Sequence, residues 1–322
     1  MTATAPDPGT ARAPIGPEEV RRAAATISGR VHRTPTLRST SLGTGCHLKA
    51  ELFQRTGSFK VRGVLNRLAA LDADERRRGV IAVSAGNHAQ ALAWAAAAEG
   101  VDALLVMWEG ASEVKLAATR AYGATVDLEA AGPAEAFERL RQLTEQSGRV
   151  FVHPFDDPLV VAGAGTVGLE ILEDVPGADT IVVAAGGGGL VAGIASACVP
   201  AGVRVVAVEP EQANGLSLGV EAGEPVPVSP RTIADGLAAP FAGGLPIAVC
   251  RALGVEVVLV TEAEIGEAFR FLYERAKLAV EPAGAAATAA VMSGRVTGST
   301  TVVVVSGGNV SAETASAILA SR

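Results

Sequence analysis

The sequence predicts an α/β protein built from two doubly wound open sheets, the smaller one inserted into the larger. Short β-branched strands alternate with longer helical segments along most of the 322-residue chain, a pattern typical of parallel sheets with helices on both faces. The proline-containing stretch 154–158 interrupts this alternation, and the same pattern then resumes. We therefore place a large domain at residues 1–72 and 151–322 and a small domain at residues 73–150.

The first half of the chain supplies the beginning of the large domain and all of the small one. A first amphipathic helix is predicted at residues 15–28, because Pro17 and two acids suit its first turn. A short strand at 47–52 follows, and a glycine turn then leads into a helix that reaches about Leu71. The other predicted elements are strands 80–83, 103–107, 125–128 and 150–152, and helices 89–98, 112–121 and 134–146.

The second half repeats the alternation and completes the large domain. Its predicted strands are 180–184, 203–208, 256–260 and 300–305, and its predicted helices are 165–173, 190–199, 262–277, 282–292 and 312–320. A loop-rich stretch is predicted between residues 210 and 246. Strand 300–305 consists only of β-branched residues, which predicts a strand that is buried on both faces.

The composition argues against several classes of partner. The net charge is −7 and no basic cluster is interleaved with aromatic residues, so we expect neither a nucleic-acid nor a membrane partner. Residues 180–203 carry no charge, but four adjacent glycines there argue against a transmembrane helix. The three cysteines, Cys46, Cys198 and Cys250, are scattered along the chain, which is typical of a protein of the reducing cytoplasm. The N-terminal stretch lacks the apolar segment of a secretion signal, so we expect a cytoplasmic protein whose first residues are frayed.

A run of glycines between a strand and a helix predicts a phosphate site. The run is Gly186, Gly187, Gly188 and Gly189, and Leu190 follows it. Glycines let the backbone approach a bound group, and the helix behind them adds free N–H donors. Residues 187–192 also match the dinucleotide fingerprint, with the acid Glu209 at the expected distance, so NAD binding is an open alternative. A second match, at 163–168, lacks a strong strand before it and predicts only a helix start.

Three further positions argue for a different ligand. Lys60 begins a helix, where the positive end of the helix lowers the pKa of an amine, and a neutral amine suits covalent chemistry with a carbonyl. Ser84, Ala85, Gly86, Asn87 and His88 follow a strand, and Ser306 follows another. Open α/β sheets bind ligands at such carboxyl ends of strands. Each position also has a simpler interpretation: a solvent-exposed lysine, a helix cap or an ordinary turn.

Taken together, these positions resemble a known enzyme family. Four segments look like signatures of pyridoxal-phosphate-dependent threonine and serine dehydratases and serine racemases, which have the tryptophan synthase β-like fold (fold type II). The segments are residues 58–63, 84–90, 186–190 and 306–309. The resemblance extends over about residues 18–320, in order and spacing. Four motifs in sequence are far more specific than one glycine run.

The resemblance implies a pyridoxal 5'-phosphate site with assigned residues. Lys60 would carry the cofactor covalently and, once released, remove the substrate's α-proton. The implied cofactor-binding residues are Phe59, Lys60, Asn87, Gly186, Gly187, Gly188, Gly189, Leu190 and Ser306. The implied substrate-binding residues are Ser84, Ala85, Gly86, Asn87 and His88, on a small domain that is mobile and closes on binding. A neutral serine at the pyridine nitrogen makes the ring a weaker electron sink, which favours elimination.

The implied activity is an ammonia-lyase reaction on L-threonine or L-serine, which gives 2-oxobutanoate or pyruvate. We expect a cytoplasmic homodimer that uses a small amino acid substrate. Racemisation is disfavoured, because Ala85 stands where the racemases carry a proton-transferring serine. No metal is expected, because Gly215 replaces the aspartate that would join Glu209 at a cation site. Other substrates such as 3-hydroxyaspartate or phenylserine stay open, as do an NAD-binding oxidoreductase and a cofactor-binding protein without catalysis.

Overall fold

Two helix-covered sheets make up the protein, as the sequence predicts. The computed structural model describes residues 14–110 and 113–321; the predicted frayed tail therefore lies almost entirely outside the described residues. Within these ranges a six-stranded sheet and a four-stranded sheet are present. The predicted α/β class with open, mostly parallel sheets is confirmed.

The strands and helices of the described residues are numbered in chain order. The strands are β1 (Thr36–Arg38), β2 (Cys46–Ala50), β3 (Val80–Val83), β4 (Ala103–Trp108), β5 (Thr125–Ala130), β6 (Val150–Phe151), β7 (Thr180–Ala184), β8 (Arg204–Pro210), β9 (Glu256–Val260) and β10 (Thr301–Val305). The helices are α1 (Pro17–Ile27), α2 (Lys60–Ala69), α3 (Ala73–Arg78), α4 (Asn87–Glu99), α5 (Glu113–Ala121), α6 (Pro133–Ser147), α7 (Pro158–Asp174), α8 (Gly189–Cys198), α9 (Gly215–Ala222), α10 (Gly244–Ala252), α11 (Glu262–Glu274), α12 (Pro282–Met292) and α13 (Ala312–Ala320).

The order of the strands creates two places where a ligand can bind. The large sheet has the order β1-β2-β10-β7-β8-β9 and the small sheet the order β5-β4-β3-β6. From β7 the following strands β8 and β9 are added on one side, and β10 lies on the other side. In the small sheet β4 and β5 are added on one side of β3, and β6 lies on the other. Loops diverge at such points and leave a crevice at the carboxyl ends of the strands. The glycine run follows β7 and residues 84–88 follow β3, so both motifs lie at these switch points.

The small sheet is an insertion in the large one. All of its strands lie in the chain between β2 and β7, which is the arrangement that the interrupted alternation predicts. The exact boundaries at 72/73 and 150/151 stay predictions. In the large sheet β7 and β10 are buried at every position, because their apolar β-branched side chains are covered by helices on both faces.

Helix α2 joins the two sheets and begins with Lys60. One of its faces carries Val61, Val64 and Leu65 into the same apolar core as α4 and β3. Its Gly63 lies against α7 so closely that a Cβ there would come 2.5 Å from the carbonyl oxygen of Val160. The helix is therefore packed from both sides, and the position of Lys60 depends on both sheets.

A buried ion-pair network also fixes α2. Arg62 is fully buried and donates from Nε and Nη2 to the Glu51 carboxylate at 2.8 Å each. Its Nη1 donates to Glu170 of α7 at 2.7 Å. Burial acts to lower the pKa of Arg62, but these two carboxylates raise it overall. Removing one partner would leave a buried charge unpaired, which typically costs about 3–5 kcal/mol.

Several elements differ from the sequence-based prediction. Helix α7 begins at Pro158 rather than at residue 165, because the Asp157 carboxylate caps it and accepts from the backbone of Leu159 at 2.8 Å. The fingerprint match at 163–168 is therefore inside a helix and not at its start, so that prediction was wrong. Its glycines allow close helix packing: a Cβ on Gly165 would lie 2.5 Å from the carbonyl oxygen of Gly193 in α8.

Four short elements were not predicted. These are the antiparallel edge strand β1, helix α3, and helices α9 and α10 within the stretch predicted as loop. Both α9 and α10 begin with glycine, and glycine is a poor helix former. Within residues 14–110 and 113–321, no helix is both long and apolar enough to cross a bilayer.

Candidate active site

A cavity of about 640 Å³ lies between the carboxyl ends of the two sheets. Every site residue that the sequence predicts lines it: Phe59, Lys60, Ser84, Ala85, Gly86, Asn87, His88, Gly186, Gly187, Gly188, Gly189, Leu190 and Ser306. The large sheet contributes the glycine loop and the turn after β10, and the small sheet contributes the loop after β3. The fold therefore brings motifs that are up to 247 positions apart in the chain, 59 and 306, into one cavity.

Lys60 presents an amine of lowered basicity to this cavity. Its Nζ donates to the carbonyl oxygen of Pro154 at 2.9 Å and lies 5.1 Å from the centroid of the Phe59 ring. Burial lowers the pKa of Lys60 to about 8, although the Glu281 carboxylate opposes the shift. The lowered pKa is therefore caused mainly by removal of the amine from water.

A chain of side-chain hydrogen bonds fixes the orientation of Asn87. Its Nδ2 donates to Glu281 Oε1 at 2.6 Å, and its Oδ1 accepts from Asn309 Nδ2 at 2.8 Å. The Asn309 amide also donates to the carbonyl oxygen of Thr56 at 2.7 Å. Because each amide nitrogen carries two hydrogens, Asn87 keeps one donor for a ligand.

Glu281 is a buried acid at the cavity, 2% exposed, at the N-terminal end of α12. Burial and the nearby charge of Asp235 raise the pKa of Glu281 to about 7, while Asn87 and Lys60 act to lower it. Its carboxyl group therefore changes charge close to neutral pH. A group in this position couples the protonation of the site to the pH of the solution.

The glycine loop has no room for side chains. A Cβ on Gly187 would enter the Phe155 ring, and a Cβ on Gly186 would lie 2.9 Å from the Cα of Leu237. Gly188 has φ +87°, a left-handed conformation that favours glycine, and caps α8 without a side chain. The loop therefore offers bare backbone N–H groups at a helix N-terminus, which is the arrangement that binds a phosphate.

The turn after β10 lies against the lysine loop. Ser306 is buried, and its carbonyl oxygen accepts from the backbone N–H of Phe59 at 3.2 Å. Ser58 forms an isolated backbone bridge with Gly307 in the same place. Lys60 and Ser306 are therefore held on neighbouring pieces of backbone that both face the cavity.

The loop after β3 is held by one internal hydrogen bond and by contacts to neighbouring segments. The hydroxyl oxygen of Ser84 accepts from the backbone N–H of Gly86 at 3.1 Å. His88 Nε2 lies 2.9 Å from the carbonyl oxygen of Val152, so this nitrogen carries the proton. Burial lowers the pKa of His88 to about 3, and the ring is neutral. The ring of His88 thus orients the loop, and the backbone of the loop remains for a ligand.

Comparison with known proteins agrees with this geometry. The family model described as pyridoxal-phosphate dependent enzyme matches residues 27–307. The chain belongs to this family. An L-threonine ammonia-lyase of Thermotoga maritima is 42% identical over 301 residues, 91% of this chain and 75% of that protein.

Two further proteins are similar to this chain over most of its length. The L-threonine dehydratase catabolic TdcB of Escherichia coli K12 is 39% identical over 308 residues, 92% of this chain and 94% of that protein. The solved structure of maize serine racemase has a TM-score of 0.88 and 36% identity, and covers 93% of this chain and 95% of that chain. Members of this pyridoxal-phosphate-dependent family thus include proteins named as lyases and as racemases.

The cavity fits pyridoxal phosphate, the cofactor of this family. The bare glycine loop suits its phosphate, the amine of Lys60 suits its aldehyde carbon, and Asn87 and Ser306 offer polar groups for the ring. A Cβ at Gly186 would clash with Leu237 and one at Gly187 with Phe155, so both positions require glycine and the loop carries no side chain beside its backbone N–H groups. When bound, the cofactor supplies an electron sink for the α-carbon of an amino acid.

Glu209 is used by the protein itself rather than by a ligand in the cavity. Its carboxylate accepts from the backbone N–H groups of Leu216 at 2.7 Å and Ser217 at 2.8 Å, at the start of α9. Burial raises the pKa of Glu209 to about 8, against these two hydrogen bonds. The acid that the dinucleotide alternative required is therefore not a cavity residue. Among the described residues no cluster of three His, Cys, Asp or Glu side chains suits a metal.

Several cavity residues were not found from the sequence. They are Trp108, Lys115, Phe137, Phe155, Asp235 and Glu281. Only Glu281 left a usable signal, since it stands before Pro282 at the start of a helix where an acid is favoured. Trp108, Lys115 and Phe137 lie on the small sheet and its helices, and they reach the cavity only because the two sheets face each other.

Proposed function

We propose that the protein is an ammonia-lyase for a β-hydroxy amino acid, L-threonine or L-serine, which it converts to 2-oxobutanoate or pyruvate. The observation that carries this proposal is a lysine amine of lowered pKa, Lys60, in one cavity with a bare glycine loop. The curated relatives named as L-threonine ammonia-lyase and dehydratase, at 42% and 39% identity, support the choice of substrate.

In this proposal the residues of the cavity have separate roles in binding the substrate and in removing its proton. The backbone of residues 84–88 holds the substrate carboxylate, and Asn87 donates its remaining amide hydrogen to the cofactor ring. Lys60 takes the proton from the α-carbon as the general base. The Cβ–O bond then breaks and the hydroxyl leaves as water, so that the proton gained by the leaving group balances the one that Lys60 took from the α-carbon. Hydrolysis consumes one water again, so the net reaction gives a 2-oxo acid and ammonium without any oxidant.

Elimination is favoured over racemisation at this site. A racemase needs a second proton-transferring group on the opposite face of the substrate α-carbon. The side chain at position 85 is a methyl group, and His88 is neutral with its ring tied to Val152. Neither residue can deliver a proton readily, although a solved serine racemase is similar to this chain.

We further propose how the protein works as a whole. Residues 73–150 form a small mobile unit that closes over the substrate, and residues 1–72 and 151–322 form the larger unit. The working protein is a homodimer in the cytoplasm. The observation in favour of the closing movement is the ion pair between Lys115 and Asp235, which connects the two sides of the cavity.

Replacement of Lys60 tests this function directly. Lys60→Arg keeps the positive charge but removes the amine that can bond to the cofactor, and Lys277→Arg makes the same change at an exposed site. We expect Lys60→Arg to lose the visible absorption of lysine-bound cofactor and to lower kcat by a factor of at least about 10³. Lys277→Arg should match the unchanged protein. Release of 2-oxo acid and ammonia from L-threonine and L-serine is the activity measured. A purified, cofactor-loaded protein that releases neither product would refute the proposal.

A further inference from the structure

Two aromatic side chains form one wall of the cavity. The chain contains only two tryptophans, two tyrosines and eight phenylalanines, yet Trp108 and Phe137 both line the cavity from the side of the small sheet. Each is half-buried and packs with one side against the apolar core of that sheet. Both also line the cavity, so a ligand there can contact them.

The aromatic wall lies beside the loop that we assign to the substrate carboxylate. Trp108 is the last residue of β4, which pairs in parallel with β3, and Ser84 follows β3 directly. The backbone N–H of Ser84 donates to the carbonyl oxygen of Val106 at 3.1 Å. An irregularity in the pairing of β4 falls between Val106 and Trp108, and such irregularities redirect a side chain at the end of a strand. A substrate held by this loop therefore has Trp108 next to it.

The charged side chain that lies on the same side of the cavity as the wall is already paired. Among the described residues of the small sheet and its helices, Lys115 is the one charged side chain that lines the cavity. It forms an ion pair with Asp235 across the cavity. Arg231 lines the cavity from the opposite loop and is exposed at its mouth. An acidic substituent would lose contact with water beside Trp108 and Phe137, which costs free energy unless a cation pairs with it.

We propose that Trp108 and Phe137 determine which substrate the enzyme prefers, and that they select an apolar substituent on the β-carbon. The substrate class is β-hydroxy amino acids whose substituent ranges from the methyl group of threonine to a phenyl ring, as in 3-phenylserine. Serine, which has no substituent, and 3-hydroxyaspartate, which has a carboxylate, are poorer substrates. This inference rests on the proposed elimination reaction and specifies its substrate.

The first test compares kcat/KM across four substrates. We expect threonine and 3-phenylserine to exceed serine by about tenfold or more, since one apolar group in a pocket is worth about 10- to 200-fold. 3-Hydroxyaspartate should be the poorest substrate. Phe137→Ala and Trp108→Ala should each lower kcat/KM for 3-phenylserine by about tenfold or more and change the value for serine by less than about threefold. Trp94→Phe, which changes an aromatic residue outside the cavity lining, is the matched control and should leave the order unchanged.

The second test measures binding without turnover. In Trp94→Phe the cofactor-loaded enzyme has Trp108 as its single tryptophan. L-phenylalanine and L-2-aminobutyrate have no β-hydroxyl to eliminate. Each should change the Trp108 fluorescence with a Kd at least about tenfold below that of L-alanine, whereas L-aspartate should bind more weakly than L-alanine. Trp108→Phe, whose single tryptophan is Trp94, should show no such change. This measurement does not require the enzyme to catalyse elimination, so it separates a failure of this inference from a failure of the proposed function.

Two outcomes would overturn the inference. One is a preference for serine or 3-hydroxyaspartate that Phe137→Ala leaves unchanged. In that case loss of the 3-hydroxyaspartate activity in Arg231→Ala would identify a cationic pocket instead. The other is a Trp108 fluorescence that responds equally to L-alanine and L-phenylalanine, because it would show that the wall does not contact the side chain.

Discussion

At the scale of single residues, the carboxyl group of Glu281 influences the amine that does the chemistry. Burial lowers the pKa of Lys60 to about 8, and the negative charge of Glu281 limits that shift. The Glu281 carboxyl group is itself raised to a pKa of about 7 by burial and by Asp235. Because only a neutral amine attacks the cofactor carbonyl, attachment of the cofactor becomes faster as pH rises toward the Lys60 pKa.

Glu281→Gln should therefore shift the pH dependence of cofactor attachment to lower pH. The variant lacks the charge that stabilises the ammonium form, so the Lys60 pKa falls below its value of about 8. In protein freed of cofactor, the rate of appearance of the visible absorption band should fall about tenfold per pH unit below that pKa and be constant above it. Stopped-flow absorbance at pH values from about 6 to about 9, which span the pKa values of Glu281 and Lys60, measures the midpoint of this pH dependence.

The control for this experiment is Glu274→Gln, which removes an exposed carboxylate remote from the cavity lining. Its midpoint should coincide with that of the unchanged protein. A midpoint that stays in place or rises in Glu281→Gln would mean that Glu281 does not carry a charge when Lys60 titrates.

At the scale of the elements, the glycine loop is shaped by the aromatic residue that packs against it. A Cβ on Gly187 would enter the Phe155 ring, and Phe155 itself packs edge-to-face against His153 and Phe241 with centroids 4.7 Å and 5.8 Å away. A ring held on two sides cannot move aside easily. Gly187→Ala should therefore displace the loop and weaken cofactor binding by about tenfold or more, since the backbone donors lose their alignment.

Gly177→Ala provides the comparison, because a Cβ there would meet no atom within 4 Å and the residue is exposed. Equilibrium dialysis with pyridoxal phosphate measures the affinity, and circular dichroism shows that both variants are folded. An affinity of folded Gly187→Ala equal to that of Gly177→Ala would show that the loop does not bind the phosphate.

Local motifs were predictable at this scale, and the ends of several elements were not. Lys60, Asn87, Gly186 and Ser306 each stand at the end of a strand or the start of a helix, which periodicity and breaker residues reveal in one sequence. The start of α7 was missed, since the glycines at 163–168 looked like a helix start after a loop. These positions are glycine because α7 packs closely against other helices there. Contacts between separate helices cannot be read from the local sequence.

At the scale of the whole molecule, the site exists because two switch points face each other. The sequence predicted both sheets, and with them the loops after β3 and β7. It did not predict the link from Asn309 to Asn87, or the part played by Glu281, because these contacts join the large sheet to the small one. Such contacts depend on the relative placement of the sheets, to which the packing of α2 against α4 and α7 contributes.

The ion pair between Lys115 and Asp235 makes the cavity sensitive to that placement. Lys115 belongs to α5 on the small sheet, and Asp235 to a short 3-10 helix (Asp235–Leu237) on the large one. The Lys115 side chain is 16% exposed and that of Asp235 60% exposed, so water screens the pair. Its contribution to overall stability is therefore small, in the range of about 0.2–1 kcal/mol. Its effect should appear in the closing movement that we propose for residues 73–150.

Lys115→Met should raise KM about two- to fivefold and change the melting temperature little, because the lost pair stabilises the closed form by less than about 1 kcal/mol. Added salt should raise KM of the unchanged protein, since salt screens exposed charges, and should have less effect on the variant. Arg204→Met removes an exposed ion pair with Glu256 within the large sheet and should leave KM and its salt dependence unchanged. Initial rates at several ionic strengths give these values. Equal KM values for Lys115→Met and Arg204→Met would show that closure of the cavity does not depend on the contact between Lys115 and Asp235.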